Sequence, residues 1–200
     1  MAGLLAKKLE MTRVVKDEKF IPVTLLEIPA IKVVGFKTIE KDGYSALIIG
    51  ITENNEAVLK DGKATLSKND FSTIKEFPVT QGDLEKYKVG DDLNIDALEG
   101  IETVTLVGFS KGKGFAGAMK KHNFHGGPAG HGSKFHRALG SIGNRKPTRT
   151  HKGKKMHGHM GDVKVNLKNI PVEFVNKEMN VIGVRGGVPG GRNSMVSIIF

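Results

Sequence analysis

The sequence contains no cysteine and no tryptophan, and only two tyrosines. Without thiols there is no disulfide framework and no thiolate metal site, and the composition fits a reducing compartment. No apolar run approaches the roughly 20 residues of a membrane-spanning helix. Residues 1–9 begin as a secretory leader does, but the apolar run meets Lys7 and Lys8 after a few residues, too early for a leader core. A soluble, intracellular protein with no membrane partner is expected. The most informative absence is of negative charge. Between Glu102 and Asp162 there is not one carboxylate.

The 59 residues 103–161 hold 12 of the 31 Lys/Arg, all seven His and 13 of the 26 Gly. The rest of the chain keeps 19 Lys/Arg against 21 Asp/Glu, so the net +10 is a local +12 on a slightly acidic body. Folded surfaces normally mix both signs, because unopposed like charges repel. A long run of one sign needs a polyanion, and Gly-rich, Lys/Arg-rich, irregular protein matches nucleic acid.

On either side of this stretch the pattern is β. Residues 1–15 suit a short amphipathic helix or a short strand. Residues 20–28, 31–38 and 44–51 are β-branched strand candidates, with turn signals at Pro29 and Asp42-Gly43. Residues 54–68 look like a polar surface excursion (52–75 at its widest), and 68–74 suit a short helix. Residues 76–79, 93–95 and 103–107 return to strand, with 82–90 a polar connection. After the basic stretch, 163–167, 172–175, 181–184 and 195–200 read as further strands. The expected class is mainly β: a barrel body over 1–107 and 162–200, interrupted by a long, irregular, basic Gly-rich extension over 108–161. Structureless loops beyond roughly 12–15 residues are uncommon in compact domains and are usually functional or disordered. This one has too few apolar residues to bury itself and should order against a partner.

Gly112-Lys113-Gly114-Phe115-Ala116-Gly117 formally matches the dinucleotide-binding glycine pattern. That site also needs a helix to hold the pyrophosphate and an acid about 20 residues on for the ribose. The acid is missing, so a nucleotide-dependent enzyme on a β-barrel, using 112–117, is the alternative and not the preferred reading. The glycines instead let backbone approach a sugar-phosphate chain, with Lys111 and Lys113 supplying charge. The histidines have no Cys or carboxylate nearby to complete a metal site, and Ser110, Ser133 and Ser141 have none to orient a catalytic histidine. No cofactor, metal or catalytic residue is expected. Phe109, Phe115, Phe124 and Phe135 interleave with the cations, as stacking residues do on unpaired bases. The alternative is that the phenylalanines only anchor the loop to its own body; that is expected of Phe109 and Phe115, close to a strand, and Phe124 and Phe135 stay open between the two roles. Lys7, Lys8 and Arg13 are further phosphate candidates, as are His122, Lys134, Arg145, Lys146, Arg149 and His159.

Motifs in a fixed order extend this reading. They are Gly3-Leu4-Leu5-Ala6-Lys7-Lys8-Leu9 with Met11-Thr12-Arg13, Pro22-Val23-Thr24, Asp42-Gly43-Tyr44, Ser110 to Gly117, His136-Arg137, Gly140-Ser141-Ile142-Gly143, Lys152 to Gly161, and Gly187-Val188-Pro189-Gly190. In this the chain resembles the large-subunit ribosomal protein L-three family, bacterial type, over essentially its whole length. The resemblance implies a translation-protein-type β-barrel with an extension threading into large-subunit rRNA toward the peptidyl transferase centre. It implies a structural, non-enzymatic constituent of the large ribosomal subunit in the cytoplasm, binding rRNA directly and supporting early assembly. Its partners would be that rRNA and neighbouring large-subunit proteins, without homo-oligomerisation. The family's rRNA contacts carry over to Lys111, Lys113, Lys120, Lys121, His136, Arg137, Lys152, Lys154 and Lys155. Three positions depart from the pattern. Glu10 stands where Gly is usual, and Lys121 replaces an Arg, losing a planar phosphate fork. Residues 144–149 are one residue short and lack the Gln that many bacterial members methylate.

Overall fold

The computed structural model describes residues 3–52 and 71–200. The chain divides into two compact units, Met1–Phe109 with Lys164–Phe200, and Ser110–Val163.

The first unit is built from two antiparallel sheets. Strands β1 (Gly3–Lys16), β2 (Lys19–Glu27), β7 (Thr103–Phe109), β10 (Lys164–Asn176), β11 (Val181–Arg185) and β12 (Met195–Ile199) close a six-stranded barrel in the order β1-β12-β7-β10-β11-β2. Strands β3 (Ile31–Lys37), β4 (Ala46–Thr52), β5 (Phe71–Pro78) and β6 (Asp92–Leu93) form a second sheet ordered β5-β4-β3-β6. Helices α1 (Ile39–Asp42) and α2 (Gln81–Leu84) are single turns, and a 3₁₀ turn spans Ile95–Leu98.

Cross-strand register explains the closure. Leu4 pairs with Ile198, Ile198 with Leu106, and Leu106 with Leu167, so one row of large side chains crosses four strands. Leu26, Ile182 and Val175 make a second row on the other side. Leu4, Leu26, Leu106, Ile182 and Ile198 are all fully buried. Each such side chain contributes about 1.5–3 kcal/mol on leaving water. One hydrophobic cluster joins these residues to Ile31, Val33, Leu47, Ile49 and Phe77 of the second sheet. Both faces of the first turn of β1 are therefore covered, and Gly3 to Ala6 are buried without alternation.

Several expectations change. Residues 3–15, where a short helix or a short strand was open, are part of one 14-residue strand. Residues 71–74, expected as part of a helix, are strand, because each pairs across to β4 or flanks a bulge on it. The two strands expected over 163–167 and 172–175 are one, β10, bent by a bulge where Asn169 adopts φ +55°. The excursion over 54–68 lies outside the described residues. Among the described residues, no helix is long and apolar enough to cross a membrane.

Candidate nucleic-acid interface

The second unit leaves the chain after β7 and returns before β10, two strands that pair at Phe109 and Lys164. Its own first contacts continue as a two-chain stalk. Ser110 N–H donates to the Val163 carbonyl (2.9 Å), Lys113 N–H to Met160 (2.8 Å) and Met160 N–H to Gly114 (3.0 Å). Strands β8 (Phe115–Ala116) and β9 (Gly158–His159) then pair, Phe115 opposite His159. The glycine-rich motif thus builds a narrow antiparallel stalk. Gly161 shows why glycine is needed there: its φ is +79°, and a Cβ would overlap the Lys111 carbonyl oxygen.

Beyond the stalk, α3 (Ala118–His122) makes little more than one turn and stops at Asn123, which is left-handed at φ +58°. Ala116 and Ala118 are the buried apolar residues at this base. The His122 ring lies 2.9 Å from the Met156 carbonyl oxygen through Nε2. A carbonyl only accepts, so Nε2 carries the proton and donates, tying α3 to the returning chain. The Lys121 ammonium lies where a Cβ on Gly158 would meet it. Beyond Asn123 up to β9, no helix or strand forms among the described residues.

The electrostatics are one-sided. Eleven of the twelve cations of residues 103–161 are exposed, and Lys121 is half-buried. Every ion pair among the described residues lies in the barrel unit, and none involves these twelve. Among the described residues no group of three His, Cys, Asp or Glu is placed to hold a metal ion.

Fifteen of the eighteen candidate residues sit in this unit. Lys111 and Lys113 line the outgoing side of the stalk. Lys120, Lys121 and His122 are on α3, and Lys134, His136 and Arg137 follow in the irregular part. Arg145, Lys146 and Arg149 are exposed at the far stretch, and Lys152, Lys154 and Lys155 on the return; His159 is on β9. Lys7, Lys8 and Arg13 instead belong to β1 of the barrel unit. The Lys8 ammonium donates to the carbonyls of Val188 (2.6 Å) and Gly190 (3.0 Å), a structural job that holds the 186–191 turn. The Arg13 guanidinium lies 4.7 Å from the centre of the Phe20 ring.

Phe109 and Phe115 do not anchor anything by burial: they are 53% and 76% exposed. Period two sends alternate β7 side chains outward, and Phe109 is at an outward position. Phe115 pairs with the His157 ring, centroids 5.4 Å apart. His157 lies outside the candidate set; no pattern in the sequence marks the contact of its ring with Phe115. An exposed aromatic pair beside Lys113 and His159 has the chemistry of a stacking platform.

The ribosomal protein L3 family profile matches residues 67–181, more than half of the chain. The large ribosomal subunit protein uL3 of Fervidobacterium nodosum is 40% identical, with 99% of this chain and 97% of the relative aligned. Those of Borrelia hermsii (41%; 99% and 96% aligned) and Thermosipho melanesiensis (42%; 99% and 97%) are similarly close. The chain belongs to the ribosomal protein L3 family. Ribosomal protein L3 is a structural protein without enzymatic activity, which removes the nucleotide-enzyme alternative for 112–117. The five-residue α3 agrees, being too short to serve as a pyrophosphate-binding helix.

Proposed function

We propose that Ser110–Val163 is the rRNA-binding arm of a structural protein of the large ribosomal subunit. Membership of the L3 family makes the chain a component of that subunit in the cytoplasmic ribosome. The observation that carries the finer reading is the set of twelve cations that, among the described residues, have no carboxylate partner. Eleven of them are exposed, and exposed cations can replace counterions along phosphate backbones. Exposed Phe115 and His157 offer ring faces to unpaired bases. Phosphate contacts position a protein and carry little sequence information, so placement in a particular RNA fold should exceed base readout.

The same reading has the arm lying deep in the rRNA, toward the peptidyl transferase centre. It also favours early entry into assembly. A closed loop of about fifty residues fits between RNA helices more readily before they close than after. The barrel unit, with its own core, then docks at the RNA surface beside neighbouring large-subunit proteins, one copy per particle.

The test is deletion of residues 117–151 with a short Gly/Ser closure, followed by rRNA binding over a salt series. Each neutralised phosphate contributes a slope of about −0.7 to −0.9 in log K against log salt. The full chain should show a steep slope and the deletion a shallow one, with affinity lower by several orders of magnitude at low salt. An unchanged slope rejects the proposal.

A further inference from the structure

Past α3, the arm folds back on itself. Gly126 has φ +73° and no space for a Cβ, because the His136 carbonyl oxygen occupies it. Gly127 N–H donates to the Phe135 carbonyl at 2.8 Å, and Phe135 N–H donates to Ser133 Oγ at 3.2 Å. This crossing leaves a cleft of about 340 Å³ lined by Phe124, His125, Phe135 and Leu139, and by the backbone of Gly126 and Gly127. Phe124 is half-buried and Phe135 is 50% exposed. A segment poor in apolar side chains places two phenylalanines and a leucine around one open cleft. Apolar walls left facing water are unfavourable, so the arrangement asks for an occupant.

The neighbouring sequence says what kind. Lys134, next to Phe135, and Arg137, two residues beyond it, are exposed, and among the described residues neither has a carboxylate partner. A hydrocarbon side chain from a protein would fill the walls and leave these cations unopposed. A nucleotide offers a flat apolar face together with its own phosphates, and so suits both the apolar walls and the cations adjacent in the chain.

We infer that this cleft receives one unpaired base of the large-subunit rRNA, stacked on a phenylalanine face, with flanking phosphates met by Lys134 and Arg137. The inference rests on the rRNA-binding reading of the arm and sharpens it to a site. Stacking tolerates any base, so the site selects an unpaired, extruded nucleotide rather than a particular letter.

The experiment uses the full-length chain and deproteinised large-subunit rRNA. Phe135→Leu keeps an apolar side chain of similar bulk without the aromatic face; Phe135→Tyr keeps the face. Affinity, its salt slope, and base reactivity of the RNA toward small modifying reagents are measured for each. Phe135→Leu should weaken binding roughly five- to a hundredfold, the loss of one base–aromatic stack. Its salt slope should match the wild type, and one otherwise protected unpaired nucleotide should become reactive. Phe135→Tyr should bind within about twofold of wild type and keep that protection. If Phe135→Leu binds as tightly as wild type and no nucleotide changes reactivity, the cleft holds no base, and the arm's wider role stands. If the wild-type chain shows no salt-dependent rRNA binding, both readings fall together.

Discussion

The two units solve the problem of charge in opposite ways. In the barrel unit cations meet anions within the chain. Lys37 reaches Asp42 at 2.7 Å, Arg185 reaches Glu173 at 2.6 Å, and Lys177 bridges Asp96 and Glu99 at 3.0 and 2.6 Å. In the arm, twelve cations meet none among the described residues. The core divides the same way. The barrel closes on continuous rows of Leu, Ile and Val, while the arm buries Ala116 and Ala118 and otherwise relies on backbone bonds and glycine. A unit that supplies its own core and counter-charges is stable by itself. A unit lacking both leaves its interactions to be made elsewhere, and that is the physical ground for the proposal that the arm is an interface.

The sharpest way to break this contrast is to give the arm its missing sign. On the proposed reading, replacing Lys152, Lys154 and Lys155 together by Glu removes three phosphate contacts and adds three repulsions. At 0.1 M salt, three lost contacts alone amount to about two to three decades of affinity, so roughly a thousandfold loss is expected with the reversal. Thermal unfolding of the barrel should not move. Calorimetry and a filter-binding salt series on the same variant check both halves, and a large drop in melting temperature would show that the units are not energetically separate.

The reciprocal change belongs in the barrel. Leu106 is fully buried and joins the row between Ile198 and Leu167. Leu106→Ala should cost about 2–5 kcal/mol of stability. Below the melting transition its rRNA salt slope should equal that of the wild type, because no cation is lost. Denaturant unfolding gives the first quantity and binding the second.

The sequence made one of these solutions much easier to see than the other. Residues 20–28, 31–38, 103–107 and 195–200 announce themselves as strands by β-branched content, and β2, β3, β7 and β12 stand there. Where the sequence misled, tertiary context had overridden local pattern. Gly3 to Ala6 do not alternate because both faces are covered, so the period-two signal is lost. Lys168-Asn169 looks like a turn between two strands because a left-handed Asn bends one strand without ending it. In the arm, the acid-free run and its cations were plain from residue types alone. Its form was not. The pairing of Phe115 with His159, the His122 bond to Met156 and the fold-back of Gly126 on His136 are contacts between positions 10 to 44 residues apart. No periodicity marks such contacts when glycine and backbone make them. Lys8 is the converse: it resembles a phosphate ligand by charge and position, but its ammonium is committed to two carbonyls in the folded chain.

The stalk allows a finer test. Gly161→Ala forces a Cβ onto the Lys111 carbonyl oxygen at a φ of +79°, a conformation costing about 1–2 kcal/mol for a residue with a side chain. Gly112 lies on the opposite side of the stalk, and among the described residues a Cβ there would meet only the Asp162 Cβ at an ordinary 4.0 Å. Limited proteolysis of the free protein should therefore cut the 110–163 segment faster in Gly161→Ala and at the wild-type rate in Gly112→Ala. The barrel should stay intact in both. Equal rates in the two variants would mean that the stalk pairing does not order the arm.

The smallest effect lies in the barrel's exposed pairs, and its sign is fixed by titration. The hydrogen bond from Lys37 holds the Asp42 carboxyl below its ordinary value of 3.8, and the same bond raises Lys37 above 10.5. A depressed carboxyl adds stability that is fully present above its unfolded value and is lost as pH falls through the folded one. A raised amine adds stability present below its unfolded value and lost as pH rises through the folded one. The pair therefore acts between about pH 4 and pH 10. Both groups are open to solvent, so the contribution is small and screened by salt. Asp42→Asn should melt slightly below wild type at neutral pH and low salt. The gap should close under acid, as Asp42 in the wild type takes up its proton, and should narrow at neutral pH in high salt. A gap that persists at pH 2 would assign the loss to the shape of the α1 turn, where Asp42 precedes left-handed Gly43, rather than to charge.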